Sequence, residues 1–193
     1  MTRIIGGMRP VSSRRYSRCN RSRQNARTHD MANLKPMTTL LPGTDDHNAW
    51  MLGGPAPLPE LRLPPGGVSP EPVLVLLREL MKPVRAAHAV GDWLVLEGNE
   101  VVGLIGLKAP ADAEGKIEFG YGIADSRQRR GHASRAVALM LKELARDPKV
   151  RLITAETAVA NFASQHVLEK NGFQRTGMRL DAEDGEVSCW RLP

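Results

Sequence analysis

Between residues 117 and 144 the apolar positions switch period. Ile117, Phe119, Tyr121 and Ile123 alternate with Glu118, Gly120 and Gly122, the two-residue repeat of a strand. Ala133, Ala136, Val137, Met140, Leu141 and Leu144 then recur at three- and four-residue steps, which is one apolar face of an amphipathic helix. Between the two runs lies a short basic turn, Gln128-Arg129-Arg130-Gly131-His132-Ala133.

The same patterning predicts the elements on either side. Residues 31–57 are polar and loop-like, with Pro42-Gly43 and Gly53-Gly54-Pro55 as breakers. Seven prolines fall between Pro55 and Pro72, so this stretch holds no long helix or central strand. Residues 58–63 read as a short first strand. A helix over 71–81 follows, with Val73, Leu74, Leu77, Leu80 and Met81 on its apolar side and Pro83 as its stop. Residues 92–97 and 100–107 are two strands, joined through Gly98-Asn99 as a tight hairpin. A strand lies within 149–159, and a helix over 162–170 has Asn161 as its cap and Gly172 as its stop. Strands over 173–180 and 187–192 close the chain around the acidic turn 181–185. The predicted order is β-α-β-β-β-α-β-α-β-β. This is an α/β (α+β) chain whose mixed sheet carries helices on both faces.

Charge divides the chain unevenly. Residues 1–30 hold eight arginines and one acid, Asp30, a net of +7. Taking that from the chain's +6 leaves −1 for the remaining residues. The basic character therefore belongs to the first 30 residues, and nucleic-acid binding by the domain is not indicated. The tail is poor in apolar residues and is expected to be disordered. It reads as a basic arm, a transit peptide, or a leader upstream of a start at Met31 or Met37; the last is preferred. The domain map is a tail over 1–30, a linker over 31–57 and a folded domain over 58–193. Two cysteines, Cys19 and Cys189, give neither a disulfide framework nor metal-ligand spacing, and there is no H-E-x-x-H. No metal site is expected. No apolar run is long enough to span a membrane, and a reducing, cytoplasmic setting is expected. Monomer and homodimer stay open.

The basic turn points to an anion. The first N–H groups of a helix lack partners within it and carry the positive end of its dipole, so phosphates bind there readily. Gly131 permits close approach, and Arg127, Arg129 and Arg130 match phosphate oxygens. The chain has no G-x-x-x-x-G-K-[ST], and Gly120-Tyr121-Gly122 lacks the third glycine of a dinucleotide fingerprint because Asp125 stands there.

Gln128-x-x-Gly131-x-Ala133, placed between a strand and a helix, resembles the acetyl-CoA pyrophosphate motif of the GNAT superfamily of N-acetyltransferases. The segment Asn161-Phe162-Ala163-Ser164 followed by Val167-Leu168-Glu169-Lys170-Asn171-Gly172-Phe173 is similar to the branch that acetylates the N-termini of ribosomal proteins. The resemblance covers about residues 58–193. It implies a GNAT-like, mostly antiparallel sheet and acetyl-CoA as cosubstrate. It also implies a primary amine, on a protein N-terminus or a small molecule, as acceptor. Gln128, Arg129, Arg130, Gly131, His132, Ala133 and Ser134 would cradle the pyrophosphate. Arg127 or Arg129 would reach the 3′-phosphate. Ile123 would mark the strand end beside the reacting acyl group, and Asn161 would touch the pantetheine arm. Ser164 would protonate the departing thiolate. The tyrosine that many members place seven residues after the Asn is Leu168 here. Members also carry two helices between their first and second strands, and only one is legible in this chain.

Glu118 is the candidate base, on the strand that feeds the cofactor turn, and His132 is a weaker second candidate. The leading reading is an N-acetyltransferase. The alternatives are a catalytically silent acyl-CoA-binding regulatory module and a nucleic-acid-associated protein acting through its arginine arm.

Overall fold

The computed structural model describes residues 37–182 and 185–193, and residues 38–193 cluster as one unit. The tail expected over 1–30 lies outside the described residues.

Among the described residues, seven strands and four α-helices follow in order: β1 Thr38–Pro42, α1 Asp45–Met51, α2 Glu71–Ala87, β2 Asp92–Glu97, β3 Glu100–Leu107, β4 Lys116–Ile123, α3 His132–Leu144, β5 Leu152–Ala158, α4 Phe162–Lys170, β6 Gln174–Asp181 and β7 Gly185–Arg191. The sheet order is β1-β2-β3-β4-β5-β7-β6. Only β4 and β5 run parallel; every other pair is antiparallel.

Strand register sorts the core onto two faces. Trp93 opposite Ile105 and Leu107 opposite Phe119 share one face. That face packs with Ala136, Val137, Met140 and Leu144 of α3 and Leu168 of α4. Leu94 opposite Leu104 lies on the other face, which meets Trp50 and Met51 of α1 and Val68 of the following loop. Helices thus cover both faces, as the alternation of buried positions requires.

Two departures from the sequence reading concern the first third. The first strand is Thr38–Pro42, not 58–63; in the latter stretch only Arg62 bridges Glu100. β1 is an edge strand, where Pro42 sacrifices no ladder bond. A short helix, α1, follows it, capped by Thr44 and with Asp45 and Asp46 in its first turn. The loop-like reading of 31–57 therefore missed both elements. The two helices usual between the first and second strands are both present, and the apparent departure disappears.

α2 also runs on to Ala87, through Pro83. Proline in a helix interior removes a hydrogen bond and costs about 3 kcal/mol. Val84, fully buried in the core, and His88, whose N–H bonds Val84 O at 2.9 Å, hold the last turn in place.

Candidate active site

The sheet opens where β4 and β5 part. They pair only over Lys116, Ile117, Glu118 and Phe119 with Leu152, Ile153, Thr154 and Ala155. Beyond that point β4 continues against β3 alone, and β5 against β7. A wedge results between residues 120–123 and 156–158. Hydrogen-bond parity decides what lines it. Lys108 N donates to Glu118 O, and Ala124 N donates to Val102 O. Even-numbered residues of β4 therefore bond to β3, and the N–H and C=O groups of Tyr121 and Ile123 point into the wedge. Ile123 O accepts from Gln128 Nε2 at 3.2 Å, and the same amide donates to Asp125 Oδ1 at 2.8 Å. Gln128 thus ties the strand end to the turn.

The turn itself is built to present N–H groups. Arg129 is the one described non-glycine residue with positive φ, at 62°, and Gly131 has φ 78°. Successive backbone groups in such a turn form an anion-binding concavity. α3 begins at His132 with no side-chain cap and no acid in its first turn, so the N–H groups of Ala133 and Ser134 remain open to a ligand.

The arginines divide by their partners. Arg127 donates to both oxygens of Glu100, at 2.6 and 2.8 Å, and that contact holds the Glu100 carboxyl below its ordinary range. Arg130 sits 3.7 Å from Glu97. Arg135 donates to Thr38 Oγ1 at 2.7 Å and to Arg130 O at 2.8 Å. Arg129 has no side-chain partner among the described residues and is exposed, so it, rather than Arg127, is free to meet a phosphate.

His132 is 2% exposed and is not among the residues lining the cleft described below. Its Nδ1 lies 3.0 Å from Thr38 Oγ1 and its Nε2 has no hydrogen-bond partner. Arg135 Nη2, a donor only, also lies 3.4 Å from Nδ1, so Nδ1 is assigned as the acceptor, of the Thr38 hydroxyl proton as well, and Nε2 as the carrier of the ring proton. Burial pushes the His132 pKa down, partly offset by Glu97 3.6 Å away. A neutral imidazole pinned to β1 cannot serve the acceptor, so only its backbone remains available to an anion.

A cleft of about 740 Å³ opens beside this strand, between α2, the loop around Val68, β3 and β4. Gly120 and Gly122 make part of its wall. A Cβ at Gly122 would meet nothing within 4 Å, and one at Gly120 would meet only Lys108 Cε at 3.7 Å. Glu118 shares their parity. Its Oε1 sits 2.5 Å from Lys108 Nζ, and the Lys108 side chain continues to the cleft.

α4 closes the opposite side of the wedge. Asn161 Oδ1 accepts from Ser164 N at 3.0 Å, so Asn161 caps the helix and its Nδ2 stays unengaged among the described residues. Leu168 is fully buried in the core and offers no acid. Tyr121, which the sequence reading took only as an apolar strand position, bridges the two sides: its hydroxyl donates to Ser164 O at 3.2 Å. Burial pushes its phenol pKa up. A phenol on the strand that leads to the turn was the available signal. Among the described residues no group of three His, Cys, Asp or Glu could hold a metal ion, and no helix is long and apolar enough to cross a membrane.

A model of the acetyltransferase (GNAT) domain matches residues 59–174, more than half of the chain. No curated protein matches. Among solved structures, the chain is similar to RimL, a ribosomal-protein alpha-N-acetyltransferase in complex with coenzyme A. The identity is 20%, the TM-score 0.60, and 80% of this chain and 92% of that one are covered. A chimera of the Vibrio cholerae spermidine N-acetyltransferase SpeG with hSSAT aligns at 18% identity and TM-score 0.60, over 80% and 94% of the two chains. The aminoglycoside acetyltransferase AAC(6')-Ib in complex with coenzyme A aligns at 19% identity and TM-score 0.57, over 80% and 94%. At these identities the likeness is one of fold.

Proposed function

The chain belongs to the GNAT acetyltransferase family, and from that premise we propose that it moves an acetyl group from acetyl-CoA to a primary amine by direct attack. One observation carries the reading: the unpaired strand edge at Tyr121 and Ile123 leads straight to an uncapped helix N-terminus. One ligand with an acyl end and a phosphate end suits both. RimL and AAC(6')-Ib, similar in fold, are described in complex with coenzyme A.

Acetyl-CoA supplies the activated acyl group. The N–H groups of Ala133 and Ser134, with the backbone of residues 129–131, hold the pyrophosphate, and Arg129 takes a further phosphate oxygen. Asn161 Nδ2 meets the pantetheine arm. The N–H groups of the wedge edge receive the charge that develops on the acetyl oxygen. Glu118, in exchange with Lys108, takes the proton of the incoming ammonium. The Ser164 hydroxyl, with the Tyr121 phenol beside it, returns a proton to the departing sulfur.

The test is thiol release from acetyl-CoA with an amine acceptor. Glu118→Gln keeps the shape and removes the proton acceptor, so the rate falls by roughly 10²–10⁴, and by less at alkaline pH where free amine is abundant. The thermal shift induced by CoA stays. A wild-type pH–rate profile in that variant ends the base assignment. A second reading, a silent acyl-CoA-binding regulatory module, draws on buried Leu168 and on the Glu118–Lys108 ion pair. Stabilisation by CoA without thiol release toward any amine selects it.

A further inference from the structure

The cleft beside β4 carries information about the acceptor, given that the transfer reaction above is correct. Its lining is largely apolar, with Val73, Leu77 and Leu80 of α2 and Leu104 of the sheet among its residues. Val73 is 41% exposed and Leu80 37%, so this side of α2 is apolar surface that nothing in the fold covers.

Two carboxylates line the cleft, Asp92 and Asp125, and Glu118 stands outside its lining. Asp92 receives both arms of Arg85, at 2.9 and 2.7 Å. Glu118 is held by Lys108. Asp125 accepts from the Gln128 amide, and is the one lining carboxylate without a cation. Lys108 itself brings a positive charge to the cleft wall. A polycation entering here would shed water from several ammonium groups and find a single uncompensated carboxylate, which is costly. An apolar body gains on burial instead, by an amount proportional to its area.

We infer that the acceptor is a monoamine borne on an apolar body, not a polyamine or an amino sugar. The amine lies toward Gly120, Gly122 and Glu118, where the strand wall is bare of side chains, and the apolar body lies along α2. Two sources share this chemistry: a free hydrophobic amine, and the N-terminus of a chain that begins with a large apolar residue.

The test uses the full chain, acetyl-CoA and thiol detection. The acceptors are n-propylamine to n-hexylamine, tetrapeptides beginning with Leu or Ser, and spermidine. Each added methylene raises kcat/KM about fourfold, from a burial gain of about 0.8 kcal/mol, so hexylamine exceeds propylamine roughly sixtyfold and spermidine trails both. The peptide pair reports the source: a Leu-first peptide that outruns hexylamine assigns the site to chain termini, and the reverse assigns it to free amines. Val73→Asp, at an exposed position, flattens the alkylamine series and raises spermidine. A series flat in chain length, or spermidine as the better acceptor, overturns the inference. Should no amine release thiol although acetyl-CoA still stabilises the fold, the transfer reading itself fails. The thermal shift of hexylamine against propylamine on the CoA-saturated protein then decides the cleft's preference: a larger hexylamine shift supports it, equal shifts overturn it.

Discussion

Gly131→Ala probes the phosphate turn with one methyl group. Gly131 has φ 78°, and an L-residue in the left-handed region costs roughly 1–2 kcal/mol. The new Cβ would also lie 2.9 Å from Arg135 Nη1, tighter than real contacts allow. The guanidinium can swing away, but only by leaving Thr38 Oγ1 and Arg130 O. Arg135 is exposed, so those two bonds together are worth about 1 kcal/mol, the low end for such pairs. The sum is about 2–3 kcal/mol, and at about 2–4 °C per kcal/mol for a chain of this size the Tm falls by roughly 5–10 °C. Scanning calorimetry with and without CoA measures both fold and ligand: at a hundredfold excess over Kd the ligand adds about 2.7 kcal/mol to the wild type, and less to the variant. In an Arg135→Ala background the close contact is gone, so Gly131→Ala there costs only the backbone share, a coupling of about 1 kcal/mol. A Gly131→Ala protein within 1 °C of the wild type, by this same conversion, would falsify the strained-turn account. Effects additive within about 0.3 kcal/mol would remove Arg135 from it.

Tyr121→Phe deletes the hydroxyl that reaches Ser164 O. If the phenol returns the proton, kcat falls about 10²-fold with CoA affinity unchanged and Ser164→Ala costs less; a loss confined to about 1 kcal/mol of stability marks the contact as structural. Thr38→Val removes the partner of Arg135 Nε and leaves His132 Nδ1 only the longer contact with Arg135 Nη2, at 3.4 Å; urea unfolding should show a loss of about 1–3 kcal/mol, and an unchanged midpoint would mean β1 does not hold the turn. On the acid side two effects follow from depressed values. Burial lowers the folded pKa of His132 below 6.5, so the unfolded chain binds the proton first and stability declines as pH falls from 6.5 toward the folded value. Glu97→Gln removes the group that offsets this shift and should steepen the decline. Glu100 and Glu156, lowered by Arg127 and Arg179, contribute above their ordinary 4.5 and lose that contribution as pH falls through their folded values. Arg127→Met should blunt this second limb in acid-unfolding curves.

Local signals were legible and long-range ones were not. The β4-turn-α3 unit, the β2–β3 hairpin and α4 with its Asn161 cap follow from period, turn residues and capping chemistry within a few positions. β1 and α1 are five and seven residues long, too short to show a period, and their identity rests on partners: Thr39 opposite Leu96 and Leu41 opposite Leu94. Pro83 reads as a stop because the core contact of Val84, which carries the helix past it, is invisible in sequence. The three basic side chains of the turn look alike until Glu100 claims Arg127. His132 reads as a titrating group until Thr38, 94 positions away, takes its Nδ1. Tyr121 reads as a core aromatic because the parting of β4 from β5 is a tertiary fact.

That parting explains how one strand serves two ligands. Up to Phe119 both edges of β4 are consumed by neighbours. Beyond it the pleat separates three tasks. Even-numbered residues bond to β3 through their backbone and turn their side chains, or at Gly120 and Gly122 their lack of one, toward the acceptor cleft. Odd-numbered residues turn their side chains to the α3 and α4 face, where Tyr121 reaches Ser164 O, and leave their backbone donors on the open edge. Were β5 to stay paired through Ala158, the N–H of Tyr121 and of Ile123 would be spent on the sheet and the wedge would close. The split is held from the β4 side, where Gln128 anchors the free strand end to the turn; β7 pairs only the far edge of β5, over Thr154 to Ala158, and leaves the edge toward β4 open. The two glycines are then more than tolerated gaps in a strand. A side chain at either would leave the fold standing and obstruct the cleft, so Gly122→Val is a substitution that should spare stability and CoA binding while raising the KM for the amine.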